Sequence, residues 1–219
     1  MTPLTITARL ASPPVVTGPL LLDGILVAGM GSLLGSREPS GWAGAEEVYA
    51  APLPLARVEA PSGWWYAASQ ATPHGPERMS YMHRRPPGMM ALRWTSRASL
   101  NHASGPDKAL RIPQYRRSAM LRIRWTCVGD RDGVARLLER VPSVGKYTAH
   151  GHGWVLRWEV DTGGPPLEAY GRELDLRHLP VDQVVPGAGR VTRRLIPLTP
   201  PYHQRARAVP CWQIVERSP

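Results

Sequence analysis

The chain has 219 residues, 42% of them hydrophobic, so it can bury a sizeable core and wholesale disorder is excluded. Its two cysteines are too few for a disulfide scaffold and fit a reducing compartment. The longest apolar stretch, 15–34, is broken by Pro19, Asp23 and several glycines, so we expect no membrane-spanning helix and no membrane partner. These features together predict a cytoplasmic globular protein.

Positive charge is concentrated in two parts of the chain. The 27 lysines and arginines outnumber the 17 acidic residues, which gives a net charge of +10. Residues 72–125 carry a net charge of +9 and residues 187–219 carry +5, whereas 1–71 and 126–186 each carry −2. Both basic segments contain aromatic residues, and arginines interleaved with aromatics suit phosphate pairing and base stacking on single-stranded nucleic acid. This distribution favours a nucleic-acid partner, with an ordinary basic surface as the alternative.

The first third of the chain predicts a strand, a buried helix and a second, short strand. Apolar side chains alternate over 4–10, which is typical of a half-buried strand. Pro19 suits the first position of a helix, and the apolar residues after it predict a largely buried helix that ends in the glycines around Gly31 and Gly35. Residues 36–62 are rich in proline and glycine and predict a loop, whereas 63–67 predict a short strand.

The basic segment 72–116 contains six prolines and predicts irregular chain. It is too long for an ordinary connection, so it is either a functional insertion or disordered when alone. Its candidate nucleic-acid-binding cations are Arg78, Arg84, Arg85, Arg93, Arg97, Lys108 and Arg111.

A strand, a helix and another strand are predicted after the insertion. Apolar side chains alternate with Arg122 and Arg124 over 118–128, which predicts a strand with one apolar and one basic face. Asp130 is a credible N-cap for a helix whose apolar residues have helical spacing. We expect the tryptophans of both strands in the core, and the last strand should point four side chains inward: Trp154, Leu156, Trp158 and Val160.

The predicted order is strand, helix, strand, insertion, strand, helix, loop, strand. It matches an α+β fold with a ferredoxin-like (RRM-like) βαββαβ core, both helices on one face, and a single domain over 1–219. Residues 187–219 would form a basic C-terminal segment, whose prolines leave open whether it contains strands. The open face of the sheet would carry Arg9, Arg122, Arg124 and Arg157.

The most specific pattern is the glycine-rich loop 144–155, before the last core strand. Glycines allow positive φ angles and leave backbone N–H groups open to a phosphate, and Lys146 adds a cation there. The loop is not a P-loop, because no Ser or Thr follows Lys146 at the start of a helix. The candidate RNA-binding residues of the loop are Gly145, Lys146, Tyr147, His150, Gly151, His152 and Gly153.

This loop resembles the G-rich loop of the RAMP superfamily of CRISPR-associated proteins. In that family a Gly-[Lys/Arg]-x4-Gly-x-Gly motif follows the last helix of a ferredoxin-like domain, and Gly145, Lys146, Gly151 and Gly153 fit it. Further stretches are similar to the type IV effector subunit of the Cas-five kind. They are 6–26, 65–69, 104–108, 128–130 and 200–202.

The resemblance implies a non-catalytic RNA-binding subunit of a type IV CRISPR effector ribonucleoprotein, acting in antiviral and anti-plasmid defence. Such a subunit holds the 5′ handle of the CRISPR RNA and caps the backbone filament. Its partners would be the CRISPR RNA, a Cas-seven-like backbone subunit, a Cas-eight-like large subunit and, through the complex, target DNA. The insertion 72–116 would act as a thumb that shapes the first kink of the guide, and no cofactor is implied.

Other chemistry has weaker support in the sequence. His150 and His152 share one loop, but with both cysteines elsewhere they fall short of a zinc site, so no metal is expected. The rival function is a guide-processing RAMP endoribonuclease, in which the 2′-OH attacks the neighbouring phosphate without a metal and a general base is needed. Residues 1–41 contain no His, Tyr or Lys, where several relatives carry that base. A base would have to come from elsewhere, such as His83, Tyr81 or His150.

Overall fold

The computed structural model describes most of the chain. It covers residues 1–16, 18–34, 51–71, 78–84, 110–116, 121–184, 191–202 and 204–214, with the side chains of all but 78–84, 110–116, His150 and Arg205. In the residues that the structure describes, antiparallel sheets are combined with two α-helices, which confirms the α+β class. Within the described ranges, no helix is both long and apolar enough to cross a membrane.

Strands outnumber helices along the described chain. In chain order the elements are β1 (Thr2–Leu10), α1 (Leu22–Leu33), β2 (Arg57–Ala60), β3 (Gly63–Tyr66), β4 (Arg78–Arg84), β5 (Leu110–Arg116), β6 (Arg122–Gly129), α2 (Arg131–Leu138), β7 (Val155–Thr162), β8 (Leu179–Pro180), β9 (Val191–Pro197) and β10 (Ala208–Ile214). Short 3-10 turns lie at Thr148–His150, Leu167–Gly171 and Arg205–Arg207. The strands predicted at 4–10, 63–67 and 118–128 are therefore confirmed.

The first sheet has the strand order β6–β1–β7, and its neighbours are antiparallel. Leu4, Ile6 and Ala8 of β1 are fully buried and share one core with both helices, so α1 and α2 cover the same face. The two helices approach closely, because a Cβ on Gly29 would collide with the carbonyl oxygen of Leu137. Glycine is required at that position for packing.

The chain after β3 runs beside β6. The amide of Val128 donates to the carbonyl of Ala67, and the amide of Ser69 donates to the carbonyl of Thr126. An antiparallel bridge joins this segment to β6, whose other edge is already paired with β1. The order across the sheet is therefore segment 67–70, β6, β1 and β7.

The first helix begins later than the sequence predicts. It starts at Leu22, so the expectation that Pro19 occupies its first position is wrong. Leu21 is extended and bridges Gln70, and the amide of Leu22 donates to the carbonyl of Ser69 at 3.1 Å. This pairing holds the preceding backbone in an extended conformation and delays the start of the helix. The second helix begins as predicted, because the Asp130 carboxylate accepts a hydrogen bond from the Gly133 amide at 2.8 Å.

Several strands lie where the sequence predicts loop or irregular chain. β2 lies within 36–62 and pairs with β3, and β4 pairs with β5 at the two ends of the segment 72–116. The expectation of irregular chain over 72–116 is therefore wrong at β4 and β5, whereas β2 occupies only four residues of a segment expected to be mostly loop. Pro113 lies inside β5, and prolines also stand in the C-terminal strands β9 and β10. Proline has no N–H to donate, so such strands lack the usual sequence pattern and depend on a partner strand.

A second sheet, with the order β8–β10–β9, encloses a separate apolar cluster. Trp65 is fully buried in this cluster with Leu179 and Cys211. The adjacent Trp64 packs against the core of the first sheet instead. β3 therefore connects the two cores through side chains on its opposite faces.

The last strand of the first sheet differs from the prediction in its first residues. Trp154 and Leu156 are 54% and 67% exposed, so their predicted place in the core is wrong, and Val155 is buried instead. The register with β1 shifts here, because Arg9 pairs with Arg157 whereas Leu10 pairs with Val155. The extra residue is a β-bulge, and it reverses the inward and outward positions before it. Beyond the bulge, Trp158 and Val160 pack against the core as predicted.

Candidate nucleic-acid interface

The face of the first sheet that the helices leave open is basic. The pairing register places Arg9 between Arg122 of β6 and Arg157 of β7, and we call these three residues the arginine row. Arg124 lies in the next row, across from Thr7. Arg122, Arg124 and Arg157 are exposed and Arg9 is half-buried. The sequence-predicted arginines of the open face therefore lie together on that face.

Glu159 organises two arginines of the row. The Nε atom of Arg9 lies 3.1 and 3.2 Å from the two carboxylate oxygens, and a terminal nitrogen of Arg157 lies 2.8 Å from one of them. Desolvation alone would raise the pKa of Glu159. The hydrogen bond from Arg9 and the charges of Arg9, Arg157 and Arg122 lower that pKa overall. The carboxylate thus stays ionised at neutral pH and fixes the position of its neighbours.

The open face keeps an excess of positive charge. Its four arginines face two carboxylates, Glu159 and the more distant Asp161, which pairs with Thr5. Thr5, Thr7 and Thr126 fill the remaining positions. A surface of this kind attracts anions, and guanidinium groups suit phosphate because they donate in a fork.

The glycine-rich loop lies at the same end of the sheet as the arginine row, because it leads directly into the start of β7. Gly145, Gly151 and Gly153 have φ angles of 89°, 80° and 64°, as their residue type predicts. A Cβ on Gly145 would lie 2.7 Å from the carbonyl oxygen of Val15, and one on Gly153 would collide with that of Val144. These two glycines are therefore needed for close backbone approach.

The amides of the loop are more fully used than the sequence predicts. Lys146 donates its amide to Val15, and Gly153 donates to Pro13, at 2.8 and 3.2 Å. The expectation that glycines leave the loop amides open to a phosphate is wrong at six positions. They are Val144, Lys146, Gly151, Gly153, Trp154 and Val155, whose amides all donate to protein oxygens. The loop is pinned to the chain that follows β1, and side chains are what it can offer to a ligand.

Lys146 is the exposed cation of the loop. Tyr147, in a left-handed conformation with φ 59°, and His152 are half-buried. His150 lies in the 3-10 turn, and its side chain is outside the described residues. Gly151 is exposed, with nothing within 4 Å of where a Cβ would be. Among the predicted loop residues whose side chains the structure describes, Lys146 is therefore the one that presents a charge to solvent.

The cations of the insertion are only partly within the described residues. Arg78 and Arg84 belong to β4 and Arg111 belongs to β5, where Arg111 pairs with His83 and Arg78 with Arg116. Their side chains lie outside the described part of the chain, as do the whole residues Arg85, Arg93, Arg97 and Lys108. A thumb role for this segment stays a prediction.

A buried polar cluster joins α1 to the C-terminal third of the chain, and the sequence patterns did not reveal it. Asp23 and Arg177 are both fully buried, and a terminal nitrogen of Arg177 lies 3.5 Å from a carboxylate oxygen of Asp23. The hydroxyl of Tyr202 donates to the same oxygen at 2.5 Å. The one signal in the sequence was an acidic residue at the start of an apolar helix.

Arg177 is held by further acceptors inside the protein. Its guanidinium donates to the carbonyl oxygens of Tyr66 and Leu198 at 2.6 and 3.0 Å. Burial raises the pKa of Asp23, although Arg177 and Tyr202 act in the opposite direction. Burial and the charge of Arg177 lower the pKa of the neighbouring His178 to about 3. Asp23, Arg177 and His178 are buried, and their contacts tie α1 to the C-terminal third of the chain.

Metal and thiol chemistry find no support in the described part of the chain. No group of three or more His, Cys, Asp or Glu residues is placed there to hold a metal ion. Both cysteines are free and buried, and burial raises the pKa of Cys127 to about 12 and that of Cys211 to about 11. Thiols with such values are poor nucleophiles at neutral pH.

No family model matches the sequence, and a search of curated proteins found no match either. The function is therefore argued from the residues and their geometry.

Proposed function

We propose that the chain binds single-stranded RNA on the open face of its first sheet. The observation that carries this proposal is the arginine row, in which Arg122, Arg9 and Arg157 lie side by side across three strands. Three guanidinium groups, each on one of three neighbouring β-strands, can pair with successive phosphates of one nucleic-acid strand. Lys146 adds a fourth charge at the same end of the sheet.

The architecture supports the same function. We infer that the segment 67–70, β6, β1 and β7, with α1 and α2 on one face, form a ferredoxin-like core. All neighbours in this order are antiparallel, and each helix connects two strands as that fold requires. Proteins with an RRM-like sheet bind single-stranded RNA on the face that the helices leave open. The arginine row lies on that face.

Within this proposal the chain is the non-catalytic subunit of a type IV CRISPR effector ribonucleoprotein that holds the 5′ handle of the CRISPR RNA. The Gly145-Lys146 and Gly151-x-Gly153 pattern supports this assignment. A Cas-seven-like backbone subunit and a Cas-eight-like large subunit would be its protein partners. Recognition depends on charge and shape, and no covalent step is required.

The dependence of RNA affinity on salt tests the proposal. Each phosphate that the protein neutralises releases counterions, so the logarithm of the binding constant should fall steeply with the logarithm of the salt concentration. We expect the double variant Arg122→Ala/Arg157→Ala to reduce that slope by about 1.4, which corresponds to two lost contacts on a single strand. Filter binding of a labelled repeat RNA fragment at several salt concentrations measures it.

The matched control is Arg136→Ala, because Arg136 is an exposed arginine of α2, on the opposite side of the sheet. It should bind RNA with the affinity and slope of the native chain. If the RNA affinity of the native chain does not depend on salt, the proposed interface is overturned. The same holds if Arg136→Ala reduces the salt dependence as much as the double variant does. A defined cut in the repeat RNA that is lost in His83→Ala or His150→Ala would instead identify the chain as the endoribonuclease.

A further inference from the structure

Trp154 is an aromatic side chain that the fold leaves in solvent. It is 54% exposed, and it is the one aromatic residue among the exposed large apolar side chains of the described ranges. Its backbone is nevertheless fixed, because its amide donates to the hydroxyl of Ser12 at 3.0 Å and its carbonyl accepts from Ala11 at 2.8 Å. Burial of an indole would stabilise the fold, so folding alone does not account for this position.

The strand geometry places Trp154 beside the arginine row. Val155 faces the core next to Leu10, so Trp154, one residue earlier, lies on the opposite side of the strand. Its backbone partner Ala11 is two residues beyond Arg9, a separation of about 7 Å along a strand. On its other edge Trp154 bridges Ser143, at the start of the loop that carries Lys146. The backbone neighbours of Trp154 therefore lead to Arg9 on one edge and toward Lys146 on the other.

We propose that Trp154 stacks on a base of the single-stranded nucleic acid whose phosphates lie on the arginine row. This inference rests on the proposed function and adds a residue that contacts bases. A single strand exposes both phosphates and unstacked bases, and proteins bind it with cations and aromatic rings in combination. The hydrogen-bonded backbone of Trp154 fixes where the indole is attached to the sheet before the ligand arrives. Stacking is tolerant of sequence, because every base has an aromatic face.

The surroundings favour a nucleic acid over a protein partner. Leu156 is also exposed at this end of the sheet, and the exposed Arg157 lies next to it at the bulge. Charge therefore stands beside the exposed apolar side chains, whereas a protein contact favours a continuous apolar patch. A protein contact at Trp154 is kept as an outcome of the test.

The test separates base stacking from phosphate pairing. Fluorescence anisotropy measures the affinity of the full chain for oligouridine and for a fully abasic ribose-phosphate strand of the same length. We expect Trp154→Ala to weaken oligouridine binding about 5- to 150-fold and to leave binding of the abasic strand unchanged. Trp154→Phe should retain most of the affinity, because it keeps an aromatic ring.

The control variant is Leu195→Ala, which removes another exposed apolar side chain, 72% exposed, from β9 of the second sheet. It should bind both strands like the native chain. If the native chain binds neither strand, the proposed function itself fails. If the native chain binds both and Trp154→Ala binds oligouridine equally well, stacking is overturned while phosphate binding stands. If Trp154→Ala loses affinity for both strands equally, stacking is also overturned. If Trp154→Ala binds RNA like the native chain but sediments differently, Trp154 is a protein contact.

Discussion

The arginine row and Arg177 use the same side chain in opposite ways. Arg177 is fully buried, and its guanidinium is surrounded by Asp23 and the carbonyl oxygens of Tyr66 and Leu198. The three arginines of the row lie at the surface, and Glu159 is the carboxylate that two of them share. The buried arginine is compensated by the protein, whereas the row leaves donors for an external anion.

This difference shows which cations of the chain can bind an external anion. A buried cation must be paired inside the fold, so the loss of its partner destabilises the protein, and its donors are not offered to an external ligand. Exposed cations placed side by side repel one another, and a phosphate backbone relieves that repulsion. Burial and pairing, more than the number of arginines, therefore distinguish a structural residue from a candidate ligand-binding residue.

The largest expected effect comes from Arg177→Met. Removing one partner of a buried ion pair leaves the Asp23 carboxylate uncompensated, so we expect a loss of about 3–5 kcal/mol in the free energy of unfolding. Urea denaturation followed by circular dichroism measures it. The double variant Asp23→Asn/Arg177→Met should lose less than the two single variants added together, because it removes both charges. If Arg177→Met lost no more free energy of unfolding than a variant of an exposed arginine, the contrast between Arg177 and the arginine row would fail.

Acid should weaken the buried cluster through His178. Its pKa is about 3 in the folded chain against an ordinary value of 6.5, so the unfolded chain binds a proton that the folded chain does not. The stability is therefore complete above pH 6.5 and is lost as the pH falls toward 3. Between pH 6.5 and 5 the loss should be about 2 kcal/mol.

Denaturation at several pH values measures this loss, and His178→Gln should remove that share of the pH dependence. The half-buried His152 offers a matched control, since His152→Gln should keep the steep native dependence. An unchanged dependence in His178→Gln would show that another group is responsible.

The smallest effect is expected at Glu159, the carboxylate that two arginines of the row share. It tests the exposed half of the comparison between the arginine row and Arg177. Glu159→Gln removes the negative charge between Arg9 and Arg157, so RNA should bind more tightly while the urea midpoint stays unchanged. Anisotropy and denaturation measure the two quantities. Asp161→Asn, two positions further along the same strand, should change the affinity less. Weaker binding of RNA to Glu159→Gln would mean that the carboxylate is needed to orient the arginines.

Much of the first sheet follows from local sequence patterns. The alternation of β1 fixes which residues face the core, and the same alternation places Arg9, Arg122 and Arg124 on the other face. The cap at Asp130 is a local interaction over three residues, so the sequence predicts it directly. The candidate interface on the sheet was therefore accessible without a structure.

The remaining features depend on contacts between distant parts of the chain. The bulge before Arg157 depends on pairing with β1, so no local pattern reveals that Trp154 is exposed. Three amides of the glycine-rich loop donate to residues 12–15, which lie far away in sequence. Asp23 contacts Arg177 and Tyr202, which lie in the C-terminal third of the chain. Sequence patterns indicate which faces are apolar, but not which distant groups fill the remaining hydrogen bonds.

The bulge in β7 also has a consequence for how such a surface can evolve. One additional residue at the end of an edge strand exchanges core-facing and solvent-facing side chains before it, while the strand beyond it keeps its register. A single codon inserted or deleted there would move an indole between the core side and the open face of the sheet. The sheet can in this way gain or lose an exposed aromatic side chain on its open face in one genetic step, with its central strand unaltered.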